Sequence, residues 1–227
     1  MRGAEAGRGS RYPQGRLRLM HLVFVHGWGF HAGIWDGIVA RLPDAAVTRV
    51  DLGFMAGGPK ANAGWPDDAI AVGHSLGLMW LLKEREGRIN GLVSIQGFDR
   101  FCPHVPDSRV AALKRGLARD PGGTLQAFWR SCGAPDFADA AALNVPRLDE
   151  GLDWLMHWDA EAAKKRLQCP VLTLASKDDL IVPPAMSEAV WGKNNIVWSP
   201  DGGHVLPLRH PDWCARHVVE FAHSVPS

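Results

Sequence analysis

Short apolar runs alternate with helical patterns along the chain, and few architectures accept that order. Residues 17–26 (LRLMHLVFVH), 46–52, 70–74, 89–96, 171–176 and 196–199 read as strands, the most continuously apolar of them buried on both faces. Residues 34–42 put Ile34, Ile38 and Leu42 on one helical face before Pro43, and residues 76–86 make a strongly apolar helix. A loop rich in Gly, Ala and Pro covers residues 53–65, and a last helix covers about residues 213–223. The alternation calls for an α/β fold, a doubly wound, mostly parallel sheet with helices on both faces. Residues 98–168 break it, because helical segments follow one another there with no strand between. That stretch is expected as a helical lid insertion over the carboxyl ends of the strands, where open α/β sheets place their sites. The expected division is a core of residues 17–97 and 169–227, the lid at 98–168, and a flexible tail at 1–16.

Composition narrows the function classes. With 227 residues, 46% hydrophobic and 22% charged, the chain can bury a sizeable core. Its 25 Lys and Arg against 24 Asp and Glu leave a formal charge of +1, which argues against nucleic acid held by bulk charge. No apolar run reaches the ~20 residues of a membrane-spanning helix. Cys102, Cys132, Cys169 and Cys214 lie far apart, so they read as reduced packed thiols with no metal site. Arg2, Arg8, Arg11, Arg16 and Arg18 sit among Gly and Ser without the apolar core of a signal peptide, and a cytoplasmic monomer is the expectation.

Three motifs carry chemistry. Gly73-His74-Ser75-Leu76-Gly77 straddles a predicted strand-to-helix junction. Glycines belong there because a serine on such a cramped turn is lifted clear of the sheet. His26-Gly27-Trp28-Gly29 ends the first strand, and acyl transfer needs two N–H donors aimed at an oxyanion. The Trp28 and Leu76 amides are the candidates, with His26 read as a structural histidine. Ser176-Lys177-Asp178-Asp179 follows a buried strand, and Gly203-His204 comes later. A serine nucleophile needs a histidine to take its proton and a carboxylate to fix the histidine's tautomer. The order Ser75, Asp179, His204 supplies them, with Asp178 the rival carboxylate and His210 the weaker rival base. His74 cannot easily turn its ring onto the adjacent Ser75.

From residue 17 onward these motifs resemble the α/β-hydrolases. D-x-x-V-P at Asp179–Pro183 and G-H followed by Pro211 match that superfamily. Within it the chain is most similar to the pimeloyl-[acyl-carrier protein] methyl ester esterases of biotin synthesis. The similarity is carried by the HGWG turn with Trp35, by LDEGL at residues 148–152 with Leu155 and Asp159, and by CPVL at 169–172. It implies a Ser75–Asp179–His204 serine esterase without metal or organic cofactor, acting on a small-molecule or carrier-bound acyl ester, with acyl-carrier protein as partner. It also implies that Phe128-Trp129-Arg130-Ser131-Cys132 lines the acyl channel. Three features depart from the family pattern. Leu78 follows Gly77, the stretch between Asp51 and Ser75 is too short for the usual helix, and Gly123 and Ala127 stand where arginines are expected.

The lid is charged unevenly. Arg100, Arg109, Lys114, Arg115, Arg119 and Arg130 dominate its first half, and Asp136, Asp139, Asp149, Glu150, Asp153, Asp159 and Glu161 its second. A basic face at Arg115 and Arg119 would attract an acidic carrier protein; an ordinary solvated helix face is the competing reading. Trp154 and Trp158, at helical spacing, are expected in the lid core. The rival functions are a short-chain carboxylesterase or thioesterase, a lyase on the same scaffold, and a non-catalytic ligand-binding homologue.

Overall fold

The computed structural model describes residues 21–55, 66–85, 88–102, 104–135, 137–138 and 142–226. The expected tail at 1–16, the start of the first strand at 17–20, most of the 53–65 loop, Glu86, Asp136 and Asp139 lie outside them. The strands are β1 (His21–Val25), β2 (Ala46–Val50), β3 (Ala69–His74), β4 (Ile89–Ile95), β5 (Val171–Ser176) and β6 (Ile196–Ser199). They form one sheet in the order β2-β1-β3-β4-β5-β6. Among the described residues every strand pair is parallel. Strand β3 is buried at every position, which is why its sequence, AIAVGH, shows no polar alternation.

The chain leaves β1 for β2 on one side and returns to β3 on the other. That reversal opens a crevice between the carboxyl ends of β1 and β3. The turn after β1 (His26–Gly29) and the serine after β3 meet there. Helix α2 (Leu76–Glu84) starts directly beyond Ser75 and packs on β3 and β1.

The helix expected at 34–42 is divided. A 3-10 turn (Ala32–Trp35) precedes the short helix α1 (Asp36–Val39), with the His31 side chain accepting from the Gly33 amide. Gly33 and Gly37 weaken helical propensity in this stretch. Ile34, Ile38 and Leu42 still share one buried side.

Between β4 and β5 come α3 (Asp107–Arg119), α4 (Pro121–Cys132), α5 (Val145–His157) and α6 (Glu161–Lys165). The two charged halves of this stretch pair with each other. Lys114 on α3 lies 3.1 Å from Asp149 and 2.8 Å from Asp153 on α5, and Arg100 lies 3.4 Å from Asp159. Trp154 and Trp158 stack with ring centres 4.7 Å apart. After β5 the chain adds α7 (Pro184–Trp191), the single turn α8 (Leu206–Arg209) and α9 (Pro211–Ser224).

Close backbone approach fixes the glycines of the serine turn. A Cβ on Gly73 would lie 2.5 Å from the Leu78 Cα, so α2 can fold back on β3 only over a glycine. A Cβ on Gly77 would run into the Val25 carbonyl oxygen and come within 2.5 Å of that of His26. Gly77→Ala should therefore push α2 off β1. The expected cost is about 3 kcal/mol, the upper range for overpacking. Thermal melting should fall by roughly 6–12 °C in a domain of this size, and an unchanged melting temperature would contradict the packing.

Candidate active site

Ser75 occupies the turn between β3 and α2 with φ +53° and ψ −126°, a backbone conformation that residues with a side chain seldom adopt. The conformation points its hydroxyl away from the sheet toward the histidine loop. His204 Nε2 lies 2.9 Å from Ser75 Oγ, and His204 Nδ1 lies 2.8 Å from Asp179 Oδ2. With the Nδ1 proton donated to the carboxylate, Nε2 is left to accept from the serine hydroxyl. All three residues are buried.

The motif spacing explains why Asp179 holds this place. Its Oδ1 accepts from the backbone amides of Ile181 (2.8 Å) and Val182 (2.9 Å), so the carboxylate caps the turn that Pro183 closes. Asp178 faces elsewhere. It accepts from the Gly203 amide at 2.9 Å and from the Ser176 hydroxyl, bracing the histidine loop without meeting the imidazole. His210 pairs with Asp201 away from Ser75.

His74 supports the loop from below. Its Nε2 donates to the His204 carbonyl oxygen at 2.8 Å. Burial, and then the nearby His204 ring, push its pKa well below the ordinary histidine value, so it is a neutral donor. Sequence reasoning passed over Gln96, which lies just past β4 and donates to Asp179 Oδ2 at 2.8 Å. An amide at the end of an apolar strand was the one available signal.

The turn after β1 comes very close to the serine. A Cβ on Gly27 would lie 2.8 Å from the Ser75 Cβ. Leu76 is the first residue of α2, where helix amides have no intrahelical acceptor. Trp28 faces the same space, its indole donating to the Leu148 carbonyl at 2.8 Å. His26 is tied down on both nitrogens, with Nδ1 2.9 Å from the Gly27 carbonyl oxygen and Nε2 beside the Leu52 amide at 2.9 Å and Asp51 Oδ1 at 3.3 Å.

A cavity of about 670 Å³ opens over Ser75, walled by Trp28, Phe98, Phe128, Leu155 and Ile181. Its charged lining residues are Arg109, Arg119 and Asp120, all exposed. The five-residue stretch expected to line it contributes only Phe128 and Ser131. Trp129, Arg130 and Cys132 do not line it, because successive helical residues point about 100° apart. Trp129 is fully buried and its indole donates to the Gly29 carbonyl at 2.8 Å. Arg130 faces solvent. Cys132 is buried, and its carbonyl accepts from the His204 amide at 3.1 Å. Burial and then the Asp179 charge hold its thiol well above the ordinary value, so it stays protonated. Arg119 reaches the cavity lining and Arg115 does not.

A sequence model of the alpha/beta hydrolase family matches residues 22–217. The chain belongs to that family. This alpha/beta hydrolase is 29% identical over 238 residues to the pimeloyl-[acyl-carrier protein] methyl ester esterase of Methylococcus capsulatus, covering 88% of this chain and 93% of that protein. It is also 29% identical over 238 residues to the enzyme of that name from Legionella pneumophila strain Corby, covering 93% and 97%. Among solved structures, an esterase from Exiguobacterium antarcticum shares the fold with a TM-score of 0.72 at 14% identity, covering 90% of this chain and 92% of that one. Among the described residues, no helix of the hydrolase is long and apolar enough to cross a membrane.

Asp51 braces the turn after β1. Burial raises its pKa, but the contact with His26 and the Gly53 and Ala32 amides outweigh burial and leave it at about 2 rather than 3.8. A carboxyl depressed on folding contributes stability that is complete above its unfolded value and is lost as pH falls through its folded one. The urea midpoint should therefore fall from about pH 4 toward pH 2, and Asp51→Asn should flatten that fall while lowering stability at neutral pH. An equally steep fall in the variant would show that another group is responsible.

Proposed function

We propose that the protein is a serine carboxylic-ester hydrolase that works through an acyl-enzyme. The observation that carries this reading is the hydrogen-bonded line from Ser75 Oγ through His204 to Asp179 beneath an apolar cavity. His204 Nε2 takes the Ser75 proton as Oγ attacks the ester carbonyl, and the Trp28 and Leu76 amides hold the oxyanion. The carbon–oxygen bond to the alkoxide then breaks, and His204 returns the proton to release the alcohol. Water, deprotonated by the same histidine, attacks the acyl-enzyme; the acid leaves and Ser75 regains its proton. Each step uses groups of this chain, the ester and water, so the mechanism calls for no cofactor.

The substrate we favour is the methyl ester of pimeloyl-[acyl-carrier protein], in line with the names of the Methylococcus and Legionella relatives. In this reading residues 98–168 are the lid whose helices receive the acyl chain, on a core of 17–97 and 169–227. Exposed Arg109 and Arg119 beside the cavity suit an acidic carrier. A second reading, a carboxylesterase for small free esters, draws on Gly123 and Ala127, which line the cavity where the resemblance puts arginines.

Ser75→Ala should lower ester hydrolysis by at least about 10³-fold, the loss of a triad nucleophile, with melting nearly unchanged. More than about a tenth of wild-type activity would remove Ser75 from this role. The substrate is tested by complementing a strain that lacks its biotin-pathway methyl esterase, on biotin-free medium. Growth with the wild type and none with Ser75→Ala is the expected result. Hydrolysis of p-nitrophenyl esters without growth would favour the second reading. Charge reversal at Arg109 and Arg119 should raise KM for the carrier-bound ester, and added salt should raise the wild-type KM toward it, because rim charges steer an acidic partner.

A further inference from the structure

Gln96 stands one residue beyond β4, only 1% exposed, with φ +53°. Its carboxamide joins three separate parts of the site. Nε2 donates to Asp179 Oδ2 at 2.8 Å and also to the Gly203 carbonyl oxygen, the residue before His204. Oε1 accepts from the Leu206 amide at 3.2 Å, on the far side of that histidine. The backbone amide of Gln96 donates to Leu174 on β5, the strand that leads into Asp179.

Only a primary amide meets these demands. Two acceptors face one end of the side chain and a donor faces the other, so a carboxylate would turn lone pairs onto Asp179 and Gly203. An apolar side chain would leave all three groups without a partner. Asp179 thus receives four donors: Ile181 and Val182 on Oδ1, and His204 and Gln96 on Oδ2. The first two fix the turn; Gln96 fixes the rotation of the carboxylate about its own bond.

The backbone points the same way. At positive φ glycine is the unstrained choice, and a side chain kept there against that preference is one the surroundings use. Gln96 does not line the substrate cavity, so it has no direct part in holding an ester.

We propose that Gln96 is a positioning residue for the reaction, its carboxamide holding Asp179 and the His204 loop in the single register that brings the imidazole onto Ser75. The inference rests on the serine-hydrolase reading and adds a group outside its three reacting residues.

The test uses two variants of the full chain. Gln96→Gly relieves the backbone strain while removing the amide, and Gln96→Met keeps the length of the side chain without its donors. Turnover of p-nitrophenyl butyrate is measured with the rate at which a fluorophosphonate labels Ser75, alongside thermal melting. Both variants should lose about 10- to 100-fold in kcat and in labelling rate, the value of a hydrogen bond to a charged group. KM should stay within about twofold, because ground-state binding is untouched. A merely structural role would appear in the melting temperature and be repaired by glycine. Wild-type kcat in a folded Gln96→Gly variant would overturn the inference alone. A wild-type protein that takes no label at Ser75 would overturn the serine-hydrolase reading and the inference with it.

Discussion

Helix α2 lies so close to the ends of β1 and β3 that no side chain fits between them. Gly27, Gly73 and Gly77 each meet neighbouring atoms at distances a Cβ could not keep. This contact holds Ser75 at positive φ, because a turn squeezed between a strand end and a helix start has no room to relax. It also presses the turn after β1 against the serine, where a Cβ on Gly27 would lie 2.8 Å from the Ser75 Cβ. The rest of the site is assembled around that fixed point, by loops that reach it from the carboxyl ends of β4, β5 and β6.

Much of this was legible in the sequence because it is local. The G-x-S-x-G turn and the D-x-x-V-P turn are written in consecutive residues, and in the second the Asp179 carboxylate takes the amides two and three residues on. The buried parallel strands were legible too, since burial on both faces removes polar alternation from β3 and β4. What escaped depends on contacts between distant residues. Gln96 is isolated in the chain, and its side-chain partners lie 83, 107 and 110 residues away. The stretch at 128–132 differs from expectation for another reason. Five consecutive helical residues cannot all share one face, and the cavity takes the side that carries Thr124, Ala127, Phe128 and Ser131.

The uneven charge of residues 98–168 has a similar explanation. Read along the chain, it suggests one basic and one acidic face. In three dimensions the two halves lie against each other, and Lys114 is held between Asp149 and Asp153. Exposed pairs of this kind add little stability individually, typically ~0–1 kcal/mol. They lie where α3 packs on α5 and occupy Lys114, leaving Arg109 and Arg119 as the cations that line the cavity.

Helix α4 has two faces with different tasks. Phe128 and Ser131 face the cavity, while Trp129 binds the Gly29 carbonyl and the Cys132 carbonyl binds the amide of His204. One rigid rod therefore touches the ligand space, the turn beside the serine and the loop that carries the histidine. The side facing the ligand is free to change chemistry, since no bond to the reacting groups depends on it. The opposite side has no such freedom, for it sets the distance between the loops that follow β1 and β6. Substrate preference can drift across this helix by way of a few side chains without disturbing the alignment that any ester would need.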